Sequence, residues 1–239
     1  MFSKKELIER DKVRTTFLMQ ELMRRTNTTN PNQFAKWFDL RTESMRIDGK
    51  EIPETTTSKK WYPIAKGDQS ITKKTLADLK MFFDDIEIVY QYGPGGLWAA
   101  LWGHTSQLVA CMRTHPMISA SSPLKEFSTA ITISANLGYT ETLTIADLAR
   151  AVAAYRFHLI TDRKTQLEGV GIYICDLYFK NVRNILNSEL LTPELIELDL
   201  LPTITSEIDK LELESRKDDK YSSSFNIDSF CQQNLNFSR

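Results

Sequence analysis

The chain has 239 residues, 41% apolar and 26% charged, with a formal net charge of −1, 9 Gly and 8 Pro. That composition fills one large or two small cores and excludes a wholly disordered or collagen-like chain. No apolar run reaches the roughly 18–20 residues of a membrane crossing, no export signal opens the sequence, and three scattered cysteines (Cys111, Cys175, Cys231) suit a reducing cytoplasm better than a disulfide framework.

The spacing of Leu7, Ile8, Phe17, Leu18, Leu22 and Met23 predicts a helix over 4–25. Asn30-Pro31-Asn32-Gln33 is a helix start, with Asn30 as N-cap, Pro31 in the first turn and Gln33 placed to reach back to the cap. This second helix carries Phe34, Ala35, Trp37 and Phe38 and is expected to end near Leu40, leaving 41–57 as a polar loop. Ser58 is placed to cap a short element from Lys59 to Lys66 that stops at Gly67, and Thr72 to cap a helix over 73–83. Tyr92-Gly93-Pro94-Gly95-Gly96 marks a boundary.

Beyond it, 97–112 reads as one helix and 123–136 as another. Thr144 to Asp147 forms a variant capping box that opens a helix over 145–160. Residues 169–186 favour helix over strand, Thr192-Pro193 starts a short helix to about Leu200, and 205–217 reads as a charged one. Residues 218–239 are a polar tail, expected to be poorly ordered or partner-dependent. The expected class is therefore all-α: a bundle over 1–92, a larger helical domain over 97–217 for dimerisation or partner binding, and the tail.

Charge is divided unevenly. Residues 1–80 carry 17 Lys/Arg against 11 Asp/Glu, a balance of +6, whereas 81–239 carry 13 against 20, a balance of −7. A basic first third with an acidic remainder fits one domain that meets a polyanion and another that does not.

Catalytic patterns are missing. Gly93-Pro94-Gly95-Gly96 lacks the Gly-Lys-Ser/Thr of a phosphate loop, and no G-x-S-x-G, H-E-x-x-H or C-x-x-C occurs, so no enzyme and no cofactor are expected. His104, Cys111 and His115 share a helical direction, but seven residues span about 10.5 Å, too far for His104 and Cys111 to share an ion. Trp98 and Trp102 are expected in the core, as are Tyr173 and Tyr178, and His158 as a polar tip or a cation at a helix C-terminus.

The first 80 residues hold the coherent functional pattern. A capped helix, a connection and a second short helix bearing Lys59, Lys60, Trp61, Tyr62 and Lys66 follow the logic of a helix-turn-helix, whose second helix enters the major groove. Gln33-Phe34-Ala35-Lys36-Trp37-Phe38 resembles the second helix of Cro/phage-repressor-type domains. The stretch from Ser58-Lys59-Lys60-Trp61 to Gly67, then Ile71-Thr72-Lys73-Lys74-Thr75-Leu76 to Leu79, is similar to their S-x-x-x-W-x-x-G-x-x-x-P-x-x-x-T-L-x-x-L stretch. The resemblance covers about residues 30–83. It implies a double-stranded DNA-binding fold that acts as a homodimer, with Ser58, Lys59, Lys60 and Tyr62 at recognition positions, Trp61 as core anchor, and Lys66, Lys73 and Lys74 near phosphates. Arg24 and Arg25 are expected to join the phosphate contacts. Some seventeen residues intervene where the family has a short turn, and Pro63 limits the second helix to a kink or a single turn. The rest of the chain resembles small uncharacterised proteins of bacteria, plasmids and phages.

The expected function is a sequence-specific DNA-binding regulator of bacterial or mobile-element origin. The alternative is a non-enzymatic interaction protein that grips a host protein or nucleoprotein complex, and the plain competing reading is a helical bundle with solvated lysines. The regulator reading requires Lys59–Lys66 to stand out from the surface; with the stub packed away beneath its neighbours, or pinned by the preceding segment, the regulator reading falls and the gripping role replaces it.

Overall fold

The computed structural model describes residues 3–47, 52–113, 143–161, 174–189 and 191–217, all helices, turns and connections with no strand among them. The chain divides between Pro94 and Gly95 into two compact units. Each is described by itself.

The first unit contains α1 (Lys4–Arg25), α2 (Pro31–Ile47), α3 (Thr55–Ser58), α4 (Trp61–Ala65), α5 (Lys73–Lys80) and α6 (Ile86–Tyr92). Ser3 and Glu6 close α1 with a reciprocal capping box. Asn30 caps α2 by accepting from the Gln33 N–H at 3.0 Å, while the Gln33 side chain reaches past the cap to accept from the Thr29 N–H at 2.8 Å. The second helix runs to Ile47 rather than stopping near Leu40, and a further helical turn, α3, follows, so the expected loop over 41–57 is partly helical. Thr72 caps α5 as expected, accepting from the Thr75 N–H at 3.1 Å, but α5 ends at Lys80 and α6 is an element the sequence reading did not assign.

The unit is built around aromatic rings. Leu18, Met19 and Leu22 of α1, Phe34 and Phe38 of α2, Trp61 and Ile64 of α4, Leu79 of α5 and Ile86 of α6 share one core. The Trp61 ring meets Phe34 and Phe38 edge-on, with centroids 4.9 and 5.3 Å apart, a preferred aromatic geometry. Helices α1 and α6 run antiparallel: Asp11 accepts from the Tyr90 hydroxyl near one end, and Arg25 holds Asp85 at the other.

The second unit opens with Gly95 and Gly96, which take positive φ in the boundary turn Pro94–Gly96. Then come α7 (Leu97–Trp102), α8 (Thr105–Arg113), α9 (Ile145–Thr161), α10 (Ile174–Leu186), α11 (Thr192–Glu197) and α12 (Leu201–Lys217). The single helix expected over 97–112 is two helices, broken at Gly103 and His104. A Cβ on Gly103 would fall 2.3 Å from the Ala99 carbonyl oxygen, so this crossing needs glycine. Arg156 of α9 then donates to the Ala100 and Gly103 carbonyls at 2.7 and 3.0 Å, satisfying acceptors at the end of α7. Helix α9 packs on α7, α8 and α10, and its buried Ala149, Ala151, Ala153 and Ala154 leave room for close approach. The Thr144–Asp147 capping box forms as expected, with Asp147 accepting from the Thr144 N–H at 2.9 Å. The helix expected over 123–136 and the tail over 218–239 lie outside the described residues. Among the described residues no helix is long and apolar enough to cross a membrane.

Trp61 is 1% exposed, and its indole N–H meets no acceptor among the described residues. The ring therefore supplies the stability and the N–H subtracts from it. Trp61→Ala is expected to cost about 3–5 kcal/mol in urea unfolding, whereas Trp61→Phe, which keeps an aromatic ring and removes the stranded donor, costs about 1 kcal/mol. Equal losses from the two would contradict a ring-filling role.

Candidate nucleic-acid interface

The segment from Thr55 to Ala65 is not one recognition helix. It is two single turns separated by Lys59, which sits in the left-handed region at φ 50°. Pro63 explains the break. In a continuous helix its ring would collide with the carbonyl of Lys59, four residues earlier. With α4 starting at Trp61, Pro63 falls in the first turn, where a missing N–H costs nothing.

Asp39 of α2 fixes the start of this segment. Its carboxylate accepts from the Thr55 N–H (2.8 Å), the Thr56 N–H (2.8 Å) and the hydroxyls of Thr55 (2.9 Å) and Thr56 (2.6 Å). Burial disfavours the charge, but the hydrogen bonds from Thr56 and Thr55 outweigh it and hold the Asp39 carboxyl below its ordinary range. Sequence reasoning passed over Asp39, because its partners lie sixteen and seventeen residues away across a stretch read as loop.

The candidate contact residues separate into two groups. Ser58 does not cap the following turn; it ends α3, and its exposed hydroxyl donates to the Glu54 and Thr55 carbonyls at 3.1 and 3.3 Å. Lys60 does not project toward a groove. Its side chain is 24% exposed, lies over the Trp61 ring at 5.0 Å and faces Asp78 at 4.0 Å. Burial pushes its pKa down, partly offset by Asp78 and reinforced by nearby Lys74. Arg24 and Arg25 are also engaged: Arg24 holds both oxygens of Glu21 at 2.8 Å, and Arg25 bridges Glu21 to Asp85 with two bonds of 2.6 and 2.8 Å to the latter. Both arginines nevertheless remain exposed residues of α1, Arg24 with 68% of its side chain accessible.

Lys59, Tyr62, Lys66, Lys73 and Lys74 are exposed. Lys66 lies over the Tyr62 ring at 5.9 Å. Helix α5 opens with two lysines and no acid in its first turn, at the end where the backbone dipole already favours anions. Counted to the structural boundary at Pro94, however, the first unit holds 17 Lys/Arg against 14 Asp/Glu, a balance of +3, because Asp84, Asp85 and Glu87 belong to it.

In the second unit Trp98 and Trp102 are buried and stacked with centroids 4.8 Å apart, and the Trp102 indole donates to Glu207 at 2.6 Å. Tyr178 is buried as expected, whereas His158 is buried against its ring at 4.5 Å rather than forming an exposed tip. His104 is exposed and Cys111 buried, with the Cys111 thiol pushed up by burial. His115 and Tyr173 lie outside the described residues, among which no group of three metal-ligating side chains gathers.

The chain matches no protein-family model, and neither the curated proteins nor the solved structures give a significant match.

Asp39→Asn keeps the shape but replaces one accepting oxygen with a donor that faces donors. It is expected to cost about 2 kcal/mol at pH 7, read by urea unfolding. Because the folded carboxyl is held below its ordinary value, the wild-type advantage is full above the unfolded pKa of about 3.9 and shrinks as pH falls through the folded value. A gap between wild type and Asp39→Asn that persists undiminished at pH 2–3 would count against the ionised clamp.

Proposed function

We propose that the first unit binds double-stranded DNA and that the protein is a DNA-binding regulator, with a contact set narrower than the sequence pattern implies. The observation that carries this reading is the exposure of Lys59, Tyr62 and Lys66 on and beside α4, a turn whose inner side is filled by Trp61 and Ile64, together with exposed Lys73 and Lys74 at the start of α5. Phosphate oxygens are acceptors spaced along a continuous anion, and exposed lysines meet them at little desolvation cost. Lys59 and Tyr62 occupy the leading positions for base edges; Lys66, Lys73 and Lys74 face the backbone. Lys60 acts as a brace. The resemblance to Cro/phage-repressor-type domains supports this assignment in residue order, with the single-turn α4 in place of the longer recognition helix.

A second reading, a non-enzymatic interaction protein, is favoured by one observation: Trp61, Ile64 and most of the Lys60 side chain are turned inward, and Asp39 pins Thr55 and Thr56 in the segment that leads into the stub. A pull-down from host lysate with and without nuclease separates the two. Nuclease-resistant recovery of one stoichiometric partner supports gripping, and nuclease-sensitive recovery supports DNA binding.

The direct test is salt-titrated duplex binding by the full chain. Replacing Lys66, Lys73 and Lys74 together by Ala is expected to lower the slope of log K against log salt by about 2–3, since each phosphate contact contributes about 0.9. Arg25→Ala is expected to leave the slope in place while lowering the unfolding midpoint, because its partners are Glu21 and Asp85. An unchanged slope in the triple variant would overturn the assignment.

A further inference from the structure

We infer that Lys12 of α1 is a further phosphate-contacting residue on this surface, an inference that rests on the DNA-binding reading above. Lys12 lies more than fifty positions before Gly67 in the chain, yet the fold lays its side chain across that glycine. Gly67 takes φ +70°, and a Cβ added there would fall 2.4 Å from Lys12 Cγ and 3.0 Å from Lys12 Cε. Both ends of the aliphatic stem therefore rest on the space that glycine leaves open, and the ammonium sits one bond beyond Cε. Gly67 directly follows Lys66, so two lysines from different helices converge at the C-terminal end of α4.

The surrounding charges favour an external anion. Lys12 is exposed and makes no ion pair among the described residues. Asp11, its chain neighbour, accepts from the Tyr90 hydroxyl and is engaged toward α6. Asp68, beside Gly67, and Glu9, three residues before Lys12 on α1, are the exposed acids near these two lysines in sequence, and neither forms an ion pair with Lys12. A lysine stem held flat against the backbone loses less side-chain freedom on meeting a phosphate than one that waves free.

The test measures full-chain binding to a mixed-sequence duplex across a salt series. Lys12→Ala is expected to lower the salt slope by about 0.9 and to weaken low-salt affinity roughly three- to tenfold, with Lys12→Arg retaining both. Lys5→Ala, which removes the same charge from the same helix about 10 Å away, is expected to leave the slope unchanged. Equal losses from Lys12→Ala and Lys5→Ala would reduce the effect to net charge and overturn the inference. If Lys66→Ala lowers the slope and Lys12→Ala does not, Lys12 alone is rejected. If the unaltered chain shows no salt-dependent binding, the DNA-binding reading fails and Lys12 fails with it.

Discussion

The edge-on seating of Trp61 between Phe34 and Phe38 is the constraint on which the first unit depends. It closes the core shared by α1, α2, α4, α5 and α6, and it also decides which residues of a five-residue helix face outward. With Trp61 and Ile64 turned in, Tyr62 and Lys66 are four apart on the opposite side, and nothing else in so short an element is left to present. One turn cannot hold its own conformation in water, since helix nucleation is unfavourable and isolated turns do not persist. The rings and the Asp39 clamp supply what length would otherwise provide. Exposed residues on α4 are thus as rigid as the core beneath them.

Electrostatics in this unit is a matter of which cations are already spent. Arg24, Arg25 and Lys60 have carboxylates from Glu21, Asp85 and Asp78 within ion-pair distance, and Lys80 pairs with Glu87 at 2.8 Å. The +6 balance of residues 1–80 falls to +3 at the true boundary for the same reason: the acids just beyond position 80 fold back onto the basic helices. Exposed pairs of this kind add little stability. Their larger effect is to weaken the long-range field, which leaves local groups of exposed lysines, such as the one at α4, to carry any attraction for a polyanion.

What the sequence disclosed and what it hid follow from the range of the forces involved. The starts of α1, α2, α5 and α9 were legible because caps and apolar spacing act within one turn, as Asn30, Thr72 and Thr144 illustrate. Trp61 as an anchor came from the resemblance of 58–67 to the Cro/phage-repressor pattern, and its burial agrees with that expectation. The Gly103 break was not legible, since Leu97 to Met112 keeps helical apolar spacing straight through it; the crossing depends on the nearby Ala99 carbonyl and on Arg156 from a helix far along the chain. The engagement of Lys60, Arg24 and Arg25 was hidden for a similar reason. A lysine and an arginine look alike in sequence whether they face solvent or a carboxylate brought in from another helix.

The chemistry of the remaining cations bears on how specific such a surface can be. The exposed cations on and beside α4 are lysines, which bind as point charges, while Arg24 and Arg25 of α1 already fork onto Glu21 and Asp85. Helix α4 spans only about 7.5 Å, roughly two base-pair steps, and offers Tyr62 as its one exposed ring. A single copy of the first unit thus carries mostly sequence-independent, backbone-directed affinity on the DNA-binding reading. Discrimination between sequences then has to come from combining two such contacts on one duplex, because each good base contact contributes only about 1–3 kcal/mol. On that reading the dimer that the resemblance implies answers a physical need: five residues of helix read too little DNA alone.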